Sequence, residues 1–88
     1  MLARNWRCSD GEVDLIVAAP GVVVFCEVKA RRTAGFGGPE AAVDWRKQRR
    51  LRRLAARWLA EHRPGAVDVR FDVVAVVGAK LEVIIGAF

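Results

Sequence analysis

Val22 to Val28 is a run of apolar residues interrupted only by Glu27, and a strand built from it is apolar on both of its faces. Strands of that kind lie inside a sheet covered on each side, so the run predicts a central strand in a layered α/β structure. It starts straight after Ala19-Pro20-Gly21, a strong turn signal. Before that turn, Glu12 to Ala18 alternates as a strand does, with Val13, Leu15 and Val17 on one face and Glu12, Asp14 and Ile16 on the other. The two segments form a hairpin.

The far end of the apolar run carries Glu27-Val28-Lys29, a carboxylate and an ammonium two residues apart and therefore on the same face, about 7 Å apart along the strand. Burying such a pair inside an apolar run is costly unless something uses it. Register decides what it meets. A two-residue turn at Pro20-Gly21, or a four-residue loop with the same centre, sets Asp14 opposite Glu27 and Glu12 opposite Lys29, whereas a three-residue loop pairs Asp14 with Cys26 and scatters the charges. Pro-Gly suits a type II turn better than the primed hairpin turns, so the chemistry argues for the register more than the turn does. Two carboxylates beside a lysine make a site for a divalent metal and a phosphate.

Elsewhere, Leu2 to Cys8 reads as a short edge strand. Arg31 to Gly38 is a basic, glycine-rich loop, and Pro39-Glu40 opens a helix that runs to about His62 and stops at Pro64-Gly65. Val43, Leu51, Leu54, Ala55 and Trp58 form its apolar stripe, and Arg46, Arg49, Arg50, Arg53 and Arg57 gather on the other side. Lys47 falls inside the stripe, where a solvated lysine does not belong. Val69 to Val77 and Leu81 to Ile85 form a second hairpin across Gly78-Ala79-Lys80. There is one good helix for two apolar sheet faces, so the second face is covered by a partner copy or by a helix expected ahead of Leu2.

At 88 residues the chain is a single small domain. Its longest apolar stretch, Leu15 to Cys26, is broken by Pro20-Gly21 and too short to span a bilayer, no signal peptide precedes Arg4, and Cys8 and Cys26 are too few for a disulfide scaffold. These features predict a cytoplasmic protein with no membrane contact. The net charge of +5 favours a polyanionic partner, DNA or RNA. Twelve of the 15 basic residues are arginine in a chain rich in Ala, Val and Gly, so a GC-rich coding bias accounts for part of that charge and its placement matters more than its sum. Arg31 and Arg32, leaving Lys29, are well placed for a phosphate backbone. The arginine face of the helix reads as solvated surface, Asp72 as a partner of Arg70 or Lys47, and His62 as a cation suited to a helix C-terminus.

Asn5-Trp6-Arg7, Gly11-Glu12-Val13-Asp14-Leu15-Ile16, Phe25-Cys26-Glu27-Val28-Lys29, Phe36-Gly37, Lys47-Gln48 and Arg70-Phe71-Asp72-Val73-Val74 resemble, in that order, the YraN-like family of small bacterial proteins. That family is placed in the PD-(D/E)XK nuclease superfamily, and the chain is distantly similar to archaeal Holliday-junction resolvases. The resemblance implies a restriction-endonuclease-like α/β fold with a central mixed sheet. It also implies Mg²⁺ or Mn²⁺ held by Asp14, Glu27 and the Val28 carbonyl, with Lys29 as the cation beside the attacking water. Lys47 either snorkels past the core edge or, by its place in the stripe and its match, is an active-site or phosphate contact; Gln48 is a further candidate, and Glu12 is a cross-strand partner of Lys29 or a solvated charge before it is a ligand. The superfamily usually has a glutamate on a helix before the first strand, and here the chain opens at Met1-Leu2, so that helix is expected to be absent. The expected function is a metal-dependent endonuclease. The alternatives left open are a nucleic-acid-binding module without cleavage and an interaction protein that dimerises through the uncovered sheet face.

Overall fold

The computed structural model describes residues 3–9, 11–31 and 45–88. Its elements are β1 (Ala3–Cys8), β2 (Gly11–Ala19), β3 (Val22–Arg31), α1 (Trp45–His62), β4 (Asp68–Val77) and β5 (Lys80–Ile84). They build one five-stranded sheet in the order β1-β2-β3-β4-β5, antiparallel throughout except where β3 runs parallel to β4. The connection between those parallel strands contains α1, as a parallel pair requires. A mixed sheet with one helix is the restriction-endonuclease-like α/β arrangement expected from the sequence.

The β2–β3 turn is Pro20-Gly21, two residues long, with Gly21 at φ 75° where a side chain would be strained. Pairs run from Ala19↔Val22 to Leu15↔Cys26. β4 and β5 close in the same way across Gly78-Ala79.

Leu51, Leu54, Ala55 and Trp58, spaced at i, i+3, i+4 and i+7, are the buried stripe of α1. They pack on Val13, Ile16, Val23 and Phe25, and the Phe25 ring meets Trp58 edge to face at 5.8 Å. Phe25 is fully buried between α1 and Phe71, a placement that stabilises the fold by about 1.5–3 kcal/mol. The helix ends where expected. His62 stacks on Trp58 with its Nδ1 2.9 Å from the Trp58 carbonyl oxygen, and Arg63 turns left-handed at φ 45° ahead of Pro64. Pro39, Glu40 and Val43, expected at the start of this helix, lie outside the described residues.

The sheet face away from α1 buries Val24 and Cys26 but leaves Val28, Leu81 and Val83 exposed, the last two at 69% and 52%. Asp72, 5% exposed on that face, is held by Arg70, whose Nε and Nη2 each donate to a carboxylate oxygen at 3.0 Å, and by the Gly86 N–H at 2.9 Å. It is a structural partner of Arg70, as one of the two sequence readings has it. Among the described residues no helix is long and apolar enough to cross a membrane.

Candidate active site at the β2–β3 seam

The register of the first hairpin is the one that the chemistry requires. The last ladder pair is Leu15↔Cys26, and Asp14 and Glu27 are the next residues along the two strands. The ladder stops there. Instead of a backbone partner, the Val28 N–H finds the Asp14 carboxylate, donating to Oδ2 at 2.9 Å.

Asp14 does not lie on the flat face that strict alternation gives it. Val13 and Ile16 are both fully buried in the α1 core although residues three apart on a regular strand face opposite ways. On β1, Ala3 and Trp6 both pack against that same core. Between them the pairs Arg4↔Leu15 and Trp6↔Val13 are kept while Asn5 and Asp14 are unpaired, and Asn5 stands at φ 54°. Both strands therefore reverse their pleat at Asn5 and Asp14. Asparagine tolerates this left-handed conformation better than most residues. The kink leaves Asp14 at the seam, where with Arg4, Asn5, Leu15 and Val28 it lines a cavity of about 380 Å³. Sequence reasoning gave no role to Asn5 or Arg4; an asparagine directly before an aromatic strand residue was the available signal.

Glu27 and Lys29 share the face of Phe25, the one covered by α1. Lys29 Nζ lies 3.0 Å from Glu27 Oε1, and both side chains are largely shielded from solvent. The Lys29 ammonium is held above the ordinary lysine range. The largest cause is a hydrogen bond shared with Lys47; burial opposes it, and the Glu27 carboxylate and then the Asp14 charge reinforce it. Lys47, the lysine out of place in the helix stripe, thus reaches Lys29, and Lys29 is a cation rather than a base at neutral pH.

The remaining candidates divide. Glu12 pairs with Arg7, its neighbour on β1, at 2.7 Å, and not with Lys29; the turn of the pleat at Asp14 separates it from the Glu27–Lys29 face. Gln48 sits half-buried in the first described turn of α1. Arg31 ends β3, and its side chain and Arg32 lie outside the described residues.

The donor set suits a hard cation. Among the described residues no three His, Cys, Asp or Glu side chains gather; Asp14 and Glu27 are the carboxylates whose charge reaches Lys29. Mg²⁺ is commonly held in this way, by one or two carboxylates with its remaining positions taken by water and substrate oxygens. Asp14 and Glu27 are oxygen donors of that type.

A family profile described as "Uncharacterised protein family UPF0102" matches residues 1–76. The chain belongs to the UPF0102 family. This UPF0102 chain is 54% identical over 77 residues to a UPF0102 protein of Parafrankia sp. (strain EAN1pec), covering 86% of the chain and 64% of that relative. It is 56% identical over 80 residues to one from Beutenbergia cavernae, at 91% and 68%, and 52% identical over 87 residues to one from Halorhodospira halophila, at 99% and 69%. The chain spans about two thirds of the length of these UPF0102 relatives.

Proposed function

We propose that this UPF0102 chain carries the centre of a metal-dependent phosphodiester hydrolase acting on nucleic acid. The observation that carries the reading is Lys29, kept protonated beside Glu27 and Lys47 and within the field of Asp14, at a hairpin seam that offers two carboxylates. Asp14 and Glu27 would hold Mg²⁺ or Mn²⁺ with the Val28 carbonyl. Such an ion, when bound, polarises a phosphoryl oxygen and lowers the pKa of water.

The chain's own contribution is electrostatic and positional. The Lys29 ammonium would offset charge on the phosphoryl oxygens as water attacks phosphorus and the bond to the leaving oxygen breaks. Lys47 holds that ammonium in place and would add a second donor once a phosphate enters. The restriction-endonuclease-like sheet and the motif order shared with the YraN-like group agree with this reading.

The test uses labelled single-stranded, duplex and branched DNA, and RNA, incubated with the full chain in Mg²⁺ or Mn²⁺. Cleavage that disappears in Glu27→Ala supports the proposal. Absence of cleavage of every substrate in both metals refutes it, and retained salt-sensitive binding would then leave a binding module.

A further inference from the structure

The outer face of α1 read in sequence as solvated surface, and the structure gives it a shape that calls for another account. Trp45, 59% exposed, stands at the first described position of the helix. The guanidinium carbons of Arg46 and Arg49 lie over its ring at 5.3 and 5.8 Å from the centroid. Together with Arg50 and Arg53 these residues line a shallow groove of about 300 Å³. Positions 46, 49, 50 and 53 share one side of a helix. The one acid in the described helix, Glu61, lies near its other end, 3.5 Å from Arg57.

We infer that this groove is a docking strip for a single-stranded polynucleotide, with one unstacked base lying on Trp45 and successive phosphates on Arg49, Arg50 and Arg53. An indole exposed among guanidinium groups is the combination that single strands use, since every base has a π face and every nucleotide a charge. Paired bases inside a continuous duplex have both faces occupied by their neighbours and offer nothing to Trp45. From Arg46 to Arg53 the helix rises about 10 Å, so the guanidinium groups form a row along a strand rather than a single contact. An acidic peptide would engage the arginines but has no need of the indole. Lys47, two residues from Trp45, lies across the helix from it and bonds to Lys29, so the strip runs along the side of α1 away from the candidate centre. The inference rests on the proposed function for its partner class, nucleic acid, and does not depend on cleavage.

The test is fluorescence anisotropy with the full chain in EDTA, using fluorescein-labelled oligothymidylate, oligouridylate and a duplex of equal length, with polyglutamate as the acidic-peptide arm. Trp45→Ala is expected to weaken single-strand binding about 5- to 100-fold and to change duplex binding less than about twofold; the two oligonucleotides then tell DNA from RNA. Arg53→Gln is expected to reduce the salt slope on single strands by about 0.7. Quenching of intrinsic fluorescence by oligothymidylate, lost in Trp45→Phe, gives the same answer without a truncated side chain. Binding unaltered by Trp45→Ala, equal losses on duplex and single strand, absence of quenching, or polyglutamate binding with the same Trp45 dependence would each overturn the inference. Cleavage in Mn²⁺ without a Trp45 effect would sink this inference alone, and Trp45-dependent binding without cleavage would sink only the hydrolase reading.

Discussion

The Asp14 carboxylate accepts the backbone N–H of Val28 at 2.9 Å, taking the place of a ladder bond at the point where β2 and β3 separate. One side chain thereby closes the end of the hairpin and sets a carboxylate beside the Glu27–Val28–Lys29 triplet.

Asp14→Ala removes the acceptor and leaves that N–H to solvent. The loss is about 1 kcal/mol, which for a domain of this size lowers Tm by about 4–8 °C. Hydrogen exchange at the Val28 amide should quicken, while Asp14→Asn, which keeps an oxygen acceptor, should retain most of the protection. An unchanged Val28 exchange rate in Asp14→Ala would contradict the geometry.

Asp72 is the more demanding case, since its buried carboxylate answers Arg70 twice and Gly86 once. Asp72→Ala should destabilise the fold by about 2–3 kcal/mol, on the order of 10–20 °C in Tm, with Asp72→Asn intermediate. Thermal melts at neutral pH decide it; a loss below about 2 °C would mean that the carboxylate is dispensable.

Cys26 gives a dependence on pH. Burial, with the Asp72 charge next and Arg70 opposing, pushes its thiol up to about 11 from 9.0. A raised pKa on an acid means that the folded chain keeps its proton where the unfolded chain has lost it. The stabilisation is therefore complete below pH 9 and fades as pH climbs towards about 11, by about 2 kcal/mol. Denaturant titrations across that window should show the decline in the native chain and a shallower one in Cys26→Ala; equal slopes would refute it.

Lys47→Met removes the nitrogen whose hydrogen bond most raises the Lys29 ammonium. The chain has three lysines, Lys29, Lys47 and Lys80, so the Lys29 signal can be followed by NMR after ¹³C labelling of lysine. Its pKa should fall towards the ordinary lysine value in Lys47→Met, without reaching it while Glu27 remains at 3.0 Å. An unaltered Lys29 titration would show that the two amines do not communicate.

Much of this architecture was legible in the chain. Pro20-Gly21 between two strand patterns marked the turn, and the charges beyond it argued for the register that the two-residue turn adopts. Leu51, Leu54, Ala55 and Trp58 fixed the buried side of α1, and the same periodicity marked Lys47 as misplaced, which its contact with Lys29 explains. The pleat reversal at Asn5 and Asp14 was not legible, because alternation assumes a regular strand and a left-handed backbone leaves only a faint trace in residue choice. Glu12 was ambiguous for a related reason. In an inner strand every residue has two cross-strand neighbours, here Arg7 on β1 and a position near Lys29 on β3, and pattern cannot choose between them. Trp45 escaped notice because an exposed aromatic at a helix start is neither core stripe nor motif.

Glu27 on β3 lies beside Val73 on β4, about half the chain away in sequence. Local turns zip quickly, but a parallel pairing waits for the intervening segment to close, and such distant contacts slow folding. During synthesis the hairpin therefore leaves the ribosome with one flank of Val22 to Cys26 bare, an adhesive border for any other extended peptide, until Asp68 to Val77 emerges to seal it.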